Sequence, residues 1–515
     1  MDKFVSRFRS QVTGVLSGFD RLVFRGSLIP LIRPRGMYSF LTRAKVRLLD
    51  FKSFVVKTSE DVKEATLAEA RKRGRPIRYL QSSRISKEDL ARTLLAEDPI
   101  DKGLVCAMTI VEPCMSFEYH RSQDRAERGL KLKPKKCLHV YKYFLHPIFG
   151  FINARIQTWF PFSIQICMNG REWLGEQLAR KRIAFKRHDN CFPWIADVEA
   201  AQRLMNKQLE TDWPATLTRI ARAMNPLHER IFEPWPMDYY WSAYQTEWAT
   251  DILFQNPRAL ADVYPPLVEH AMKHFKSPDV MRFLGRKNPG KSEIVTSFKK
   301  RVEGVRVKHW AGGNSIKMYD KAGSVLRVET TIANPVPFKV LRPIEGRPEG
   351  RLLWKPLRKG VADLHRRAQV SQRANHSYLE ALSAVDDSTT LSDVFDDVSR
   401  PVTNDGRRSR AFRIGDPADI ALLQVISRGE FATAGFRNRD IQRLLHPVRR
   451  DPSLPAKRKL SAKIGRQIRL LRAHGLVRKV QKSHRYVLTP KGHLLSAALF
   501  AARSATTKQL LRDAG

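Results

Sequence analysis

The sequence has no apolar run approaching the ~18 residues that span a bilayer. Its first stretch, MDKFVSRFRSQVTGVLSGFDRLVFRG, is broken throughout by Arg and Asp. Neither a membrane span nor a secretory leader is expected. Cysteine is scarce: five residues, an odd number, all between Cys106 and Cys191. That is no disulfide framework for a chain of 515 residues, and reduced thiols in a cytoplasmic protein are expected. Acidic residues are the third shortage, with 51 Asp+Glu against 93 Lys+Arg and a formal net charge of +42. A charge of that sign and size attracts polyanions over long range, most commonly nucleic acid. An anionic membrane surface would call for a lipidation signal or a basic amphipathic tail, and the sequence offers neither. Internal repeats and low-complexity tracts are also missing.

What is present is the composition of a folded protein, 42% hydrophobic, and a length that implies about two to four domains. The pattern predicts an α+β chain: a large mixed N-terminal region followed by a C-terminal winged helix-turn-helix domain. Residues 1–101 read as basic and mainly helical, and 102–341 as an α+β body. Residues 342–360 (RPIEGRPEGRLLWKPLRKG) read as a linker, 361–385 as helical, 386–411 as a second linker and 412–512 as the winged-helix domain.

Three constellations in the body bear on chemistry. In KMYDKAGSVLRVETTI a β-hairpin is predicted within 314–332, with a three-residue loop and Gly323 in the left-handed position. That register sets Met318 opposite Leu326 and Ile316 opposite Val328. Lys317 then faces Arg327, and Ser315 faces Glu329. Two cations directly opposed call for a negative partner: either Glu329 in a local ion pair, or a phosphate held by Lys317 and Arg327 with Glu329 orienting Arg327.

In MDYYWSAYQTEWATDILF, a helix would align Tyr240, Tyr244, Glu247 and Asp251 on one side. A tyrosine nucleophile and Mg²⁺-binding carboxylates fit that set, and so does ordinary core packing. The third constellation is the Cys/His set Cys114, His120, Cys137, His139, His146, His188 and Cys191. Within it Cys114, Cys137, His139, His188 and Cys191 are candidate zinc ligands, although the spacing is neither that of a ribbon nor of a finger. Lone cysteines also pack as small apolar residues. The two histidines of CLHVYKYFLH are seven apart, so the His-hydrophobe-His motif of rolling-circle nucleases is not matched. Asn153, Arg155, Gln157 and Trp159 share one strand face, suited either to nucleotide stacking or to a covering helix.

The last hundred residues are the most legible. PADIALLQVISRGE and RNRDIQRLL read as two helices, and LSAKIGRQIRLLRAHG as a third, with Leu460, Ile464, Ile468 and Leu471 in one apolar stripe and Gly475 as its stop. LVRKV and HRYVLT read as two short strands, and Pro490 opens a last helix. This segment, above all LRAHGLVRKVQKSHRYVLTPKGHLL, resembles the DNA-binding half of MarR-like regulators. The resemblance implies that Lys463, Arg466, Gln467 and Arg469 enter the major groove of double-stranded DNA, with Lys479, Lys482, His484 and Arg485 on the wing. It departs from the family in a long loop before the third helix and in lacking a flanking dimerisation helix pair. The YDK…LRVE pattern is similar to a short motif of phage and plasmid replication initiators. The whole chain resembles large bacterial proteins of obscure function that end in a MarR-like domain.

Three function classes follow: a mobile-element or replication-type protein whose body grips or processes nucleic acid, a regulator whose body senses a ligand or dimerises, and a coat without sequence choice. No complete catalytic motif decides whether the body is an enzyme. Mg²⁺ and Zn²⁺ are the candidate cofactors.

Overall fold

The computed structural model describes all residues except 125–127, 286–293, 303, 345, 347–348, 384–390, 405, 429–430, 432–434, 448–452, 482 and 505–515. The fold is mixed α and β with one large sheet of eleven strands. Among the described residues no helix is long and apolar enough to cross a membrane.

In chain order the strands are β1 (Val12–Ser27), β2 (Ile77–Leu80), β3 (Gly103–His120), β4 (Gly129–His146), β5 (Gly150–Gln157) and β6 (Ile164–Asn169). Next come β7 (Phe185–His188), β8 (Cys191–Ile195), β9 (Tyr240–Phe254), β10 (Val295–Lys300), β11 (Val305–Ala311), β12 (Asn314–Lys321) and β13 (Val325–Ile332). Short pairs follow: β14 (Lys339–Arg342) with β15 (Leu353–Pro356), β16 (Val402–Asn404) with β17 (Arg407–Ser409), and β18 (Val477–Lys479) with β19 (Tyr486–Leu488).

The chain forms two discontinuous units. One comprises 14–251 and 329–372; the other comprises 1–13, 252–328 and 373–515. In the first unit, the end of β13 is followed across the sheet by β9, β1, β6, β5, β4, β3 and β2. Along its middle β1 is buried on both faces: the consecutive residues Leu16 to Asp20 are all buried, Ser17 and Asp20 included. Glycines on β1 let helices approach closely. A Cβ on Gly14 would meet Val198, and one on Gly18 would meet Met205, both on the helix Val198–Gln208. The opposite face is covered by the helix Leu364–Leu382, where Trp248 donates from its indole N–H to Gln372 at 2.5 Å. Phe19, one residue out of phase with Gly18, packs edge-on against Trp248 on that face.

Several expectations give way here. Residues 1–101 are mainly helical, as expected, but a 16-residue strand, β1, also runs through them. MDYYWSAYQTEWATDILF is strand β9, not a helix: its aromatic and β-branched content prevails over the four-three-four spacing. Residues 342–360 hold the β14–β15 ribbon in place of a plain linker, and part of 386–411 pairs as β16–β17.

In the second unit β10, β11 and β12 form an antiparallel meander leading into β13. Gly323 takes the positive φ expected of it, 78°, but Ala322 takes one too, 59°. The turn thus has two left-handed residues, which differs from a loop with a single left-handed glycine. Further along come the helices Pro417–Ile426, Asn438–Leu445 and Leu454–Ala473, strands β18 and β19, and the helix Pro490–Ser504. The third of these helices starts six residues earlier than its apolar stripe suggested. Ile464, Ile468 and Leu471 are buried in one core with Ile420, Leu423, Ile441 and Leu495. Gly475, at φ 69°, closes that helix: its N–H reaches the Arg472 carbonyl, and the Leu476 N–H reaches that of Leu471.

Candidate metal centre

Strand alternation decides which side chains of the first unit meet. On β9, Glu247 lies in phase with Trp241, whose indole N–H donates to Thr218 on the helix Trp213–Met224. On β1, Asp20 lies in phase with Gly14 and Gly18. Both acids therefore sit on the face covered by the helices between Val198 and Met224. Glu329 reaches the same place from β13. Ligand oxygens of Asp20, Glu247 and Glu329 all lie within 4.8 Å of one another. Asp20 and Glu329 are buried, and Glu247 is half-buried, which leaves one side open.

Asp20 is held by amides. Asn190 donates to both of its carboxylate oxygens, at 2.8 and 2.7 Å, and Asn169 donates to one at 3.2 Å. Asn190 stands in the turn between β7 and β8, next to Asp189 at φ 55°. Asn169 ends β6 and also caps the helix Gly170–Arg180. Gln245 donates to Glu247 at 3.2 Å. Side-chain amides thus orient Asp20 and Glu247.

Two unit charges at such a separation repel by roughly 3 kcal/mol at an effective dielectric near 20. Three carboxylates gathered this closely form a group that could hold a cation. An all-oxygen set with an open side suits a hard divalent ion such as Mg²⁺ or Mn²⁺ and does not suit zinc's preference for N and S. Arg21, on β1, is a nearby cation; its pKa is raised above the usual arginine value, first by Cys167 and also by Glu247.

The four residues grouped in MDYYWSAYQTEWATDILF are dispersed by the strand. Tyr240 and Tyr244 are exposed on the opposite face from Glu247. Asp251 is engaged by Arg171 at 3.0 Å, both fully buried, and is not a ligand of the cluster. The phosphate-facing reading of β12 and β13 also fails. Arg327 and Glu329 are 0% exposed, so neither meets a phosphate from solution, whereas Lys317 is half-buried.

The Cys/His set is not assembled. Among the described residues the acidic trio is the only group with three ligands in range. Cys114 and Cys137 are neighbours on β3 and β4 and interact: their hydrogen bond holds Cys137 down to about 7, and the Cys114 thiol is raised. His139 is fully buried, with a ring nitrogen 3.0 Å from the Cys137 carbonyl. His188 and Cys191 belong to the separate β7–β8 hairpin. On the Asn153–Trp159 face Gln157 is buried and the other three residues are half-buried. Arg155 bonds Glu112 at 3.1 Å, and the Gln157 amide donates to the Met115 and Trp159 carbonyls.

In the C-terminal part Lys463, Arg466 and Arg469 are exposed along one helix, and Gln467 is half-buried. Lys479 and His484 are exposed, and Arg485 bonds the Gly435 carbonyl at 3.2 Å. Lys482 lies outside the described residues.

Asp20, Asn169 and Asn190 were not singled out from the sequence. Asp20 left one trace there, a lone acid in the apolar run LSGFDRLVF. The asparagines left none. No family model matches this chain, and neither a curated protein nor a solved structure matches it.

Proposed function

We propose that this protein acts on phosphodiester bonds of nucleic acid, with Asp20, Glu247 and Glu329 holding Mg²⁺ or Mn²⁺ and the C-terminal helices engaging duplex DNA. The observation that carries this reading is three carboxylates gathered on β1, β9 and β13 in a chain of net charge +42. The wider chain draws in a polyanion, and the acidic spot suits the cation that polyanion chemistry uses. When bound, such an ion polarises a phosphoryl oxygen and lowers the pKa of a bound water. The role of the protein groups is to set its position: Asn169 and Asn190 fix Asp20, and half-buried Glu247 borders the approach. The short YDK…LRVE likeness to replication initiators agrees with this reading, since Glu329 is the glutamate of that pattern. The order of helices and short strands in residues 417–504, with Lys463, Arg466 and Arg469 exposed, supports contact with double-stranded DNA.

The test is a gel with labelled single- and double-stranded DNA, with and without Mg²⁺ or Mn²⁺, for the wild type and Asp20→Asn. Metal-dependent cleavage lost in the variant is expected. Salt-sensitive duplex binding with no cleavage under any condition would replace this reading with that of a non-catalytic regulator.

A further inference from the structure

The β14–β15 ribbon is short and exposes apolar side chains where a soluble hairpin ordinarily carries polar ones. Its register sets Leu341 directly opposite Trp354, and Lys339 opposite Pro356. Alternation puts these four on one face. Val340, buried at 3% exposure, lies on the other. Leu341 is 46% exposed and Trp354 56%, with exposed Ile344 and Leu352 just beyond them toward the turn.

Cations flank this face, while Arg342 and Lys355 alternate with Leu341 and Trp354 onto the other. Lys339 and Arg351 are exposed, and Arg342 and Lys355 are half-buried. Arg342 donates to the Pro356 carbonyl, tying one strand to the other at the open end of the ribbon. From the neighbouring helix Arg366 donates to the Leu341 carbonyl. Asp363, on the neighbouring turn, is neutralised by Arg358 and Arg366 at 3.0 and 2.8 Å, and one exposed acid, Glu349, lies in the connection between the strands.

An exposed indole beside an exposed leucine, with the exposed cations Lys339 and Arg351 flanking them, matches the chemistry of an unpaired nucleic-acid strand: bases stack on the ring and phosphates meet the flanking charge. We infer that this ribbon is a binding surface for single-stranded nucleic acid, with Trp354 as the stacking ring, Leu341 beside it, and the exposed Lys339 and Arg351 as phosphate contacts. The inference rests on the nucleic-acid reading above and identifies which strand form the body grips. It does not depend on cleavage or on a metal.

The experiment is fluorescence anisotropy of a labelled 20-mer oligothymidylate with the full chain in EDTA. Trp354→Ala is expected to weaken binding roughly 5- to 150-fold, and Trp354→Phe to restore most of it. Lys339→Ala is expected to reduce the dependence of log K on log salt by roughly 0.7. Asp20→Asn is expected to bind like the wild type, so that failure of the metal centre and failure of the ribbon are read separately. Unchanged affinity in Trp354→Ala would overturn the inference. So would a drop in oligomer mass on light scattering with no change in DNA affinity, which would assign the face to a second copy of this chain.

Discussion

Asn190 donates one amide nitrogen to both carboxylate oxygens of Asp20, at 2.8 and 2.7 Å. The two residues are 170 positions apart, and the β7–β8 turn exists at the point where this contact is made. A contact of that kind fixes a ligand's orientation without contributing a ligand. Asn190→Ala is expected to raise the Mn²⁺ concentration that half-saturates the thermal stabilisation of the protein by about 10- to 100-fold. Differential scanning fluorimetry over a metal titration reads this without any activity. An unchanged midpoint would remove Asn190 from the site.

Arg171 and Asp251 form a fully buried ion pair at 3.0 Å. Breaking such a pair leaves one uncompensated charge and costs about 3–5 kcal/mol. Asp251→Asn is therefore expected to lower the urea midpoint strongly while leaving the metal response per folded molecule intact. The double variant Arg171→Met with Asp251→Leu is expected to recover a large part of that loss. A metal response abolished in Asp251→Asn protein that is still folded would return Asp251 to the ligand set.

Burial pushes His309 down to about 4, and burial with Arg155 nearby pushes His139 down to about 4. The unfolded chain takes up these protons near pH 6.5, and the native state does not until near pH 4. Between those values the unfolded state binds more protons, so stability rises with pH and is lost as pH falls through the window. The melting temperature is expected to drop from pH 7 to pH 5. His309 hydrogen-bonds Thr296 at 2.9 Å and Tyr378 at 3.3 Å; His309→Gln is expected to flatten that drop even where it lowers stability overall. An equal slope in wild type and variant would mean that His309 does not titrate as assigned.

Arg466 is exposed on the helix Leu454–Ala473. If that helix meets duplex DNA, Arg466→Ala weakens duplex binding and lowers the slope of log K against log salt by about 0.9. Oligothymidylate binding is expected to be unaffected. Duplex affinity unchanged at two salt concentrations would exclude the helix from the interface.

Backbone crowding near the centre gives one further test. A Cβ at Gly170 would lie 2.0 Å from the Phe19 carbonyl oxygen, the residue before Asp20. Backbone cannot swing aside as a side-chain tip does, so Gly170→Ala is expected to destabilise by about 1–3 kcal/mol and to weaken the metal response. Native melting with native metal response would show that the strand and helix relax there at little cost.

The C-terminal helices, their stop at Gly475 and the two short strands were legible because each is fixed by neighbours in sequence: an apolar stripe, a left-handed glycine, a β-branched run. The body was legible only as a class. Tyr240, Tyr244, Glu247 and Asp251 have spacings that suit either a helix face or alternating strand faces, and local pattern does not choose between them. The choice follows from β9 lying next to β1 in a sheet whose two faces are covered by different helices.

By itself, then, the sequence determined the charge, the scarcity of cysteine, the mixed α+β class and the order of elements in the last hundred residues. Those properties are additive or set within a few residues. Tertiary structure alone decided that Asp20, Glu247 and Glu329 meet, that Arg327 is sealed from solvent, and that Trp354 is not. Strand order and register bring together residues more than two hundred positions apart, and nothing within a local window encodes which acids become neighbours.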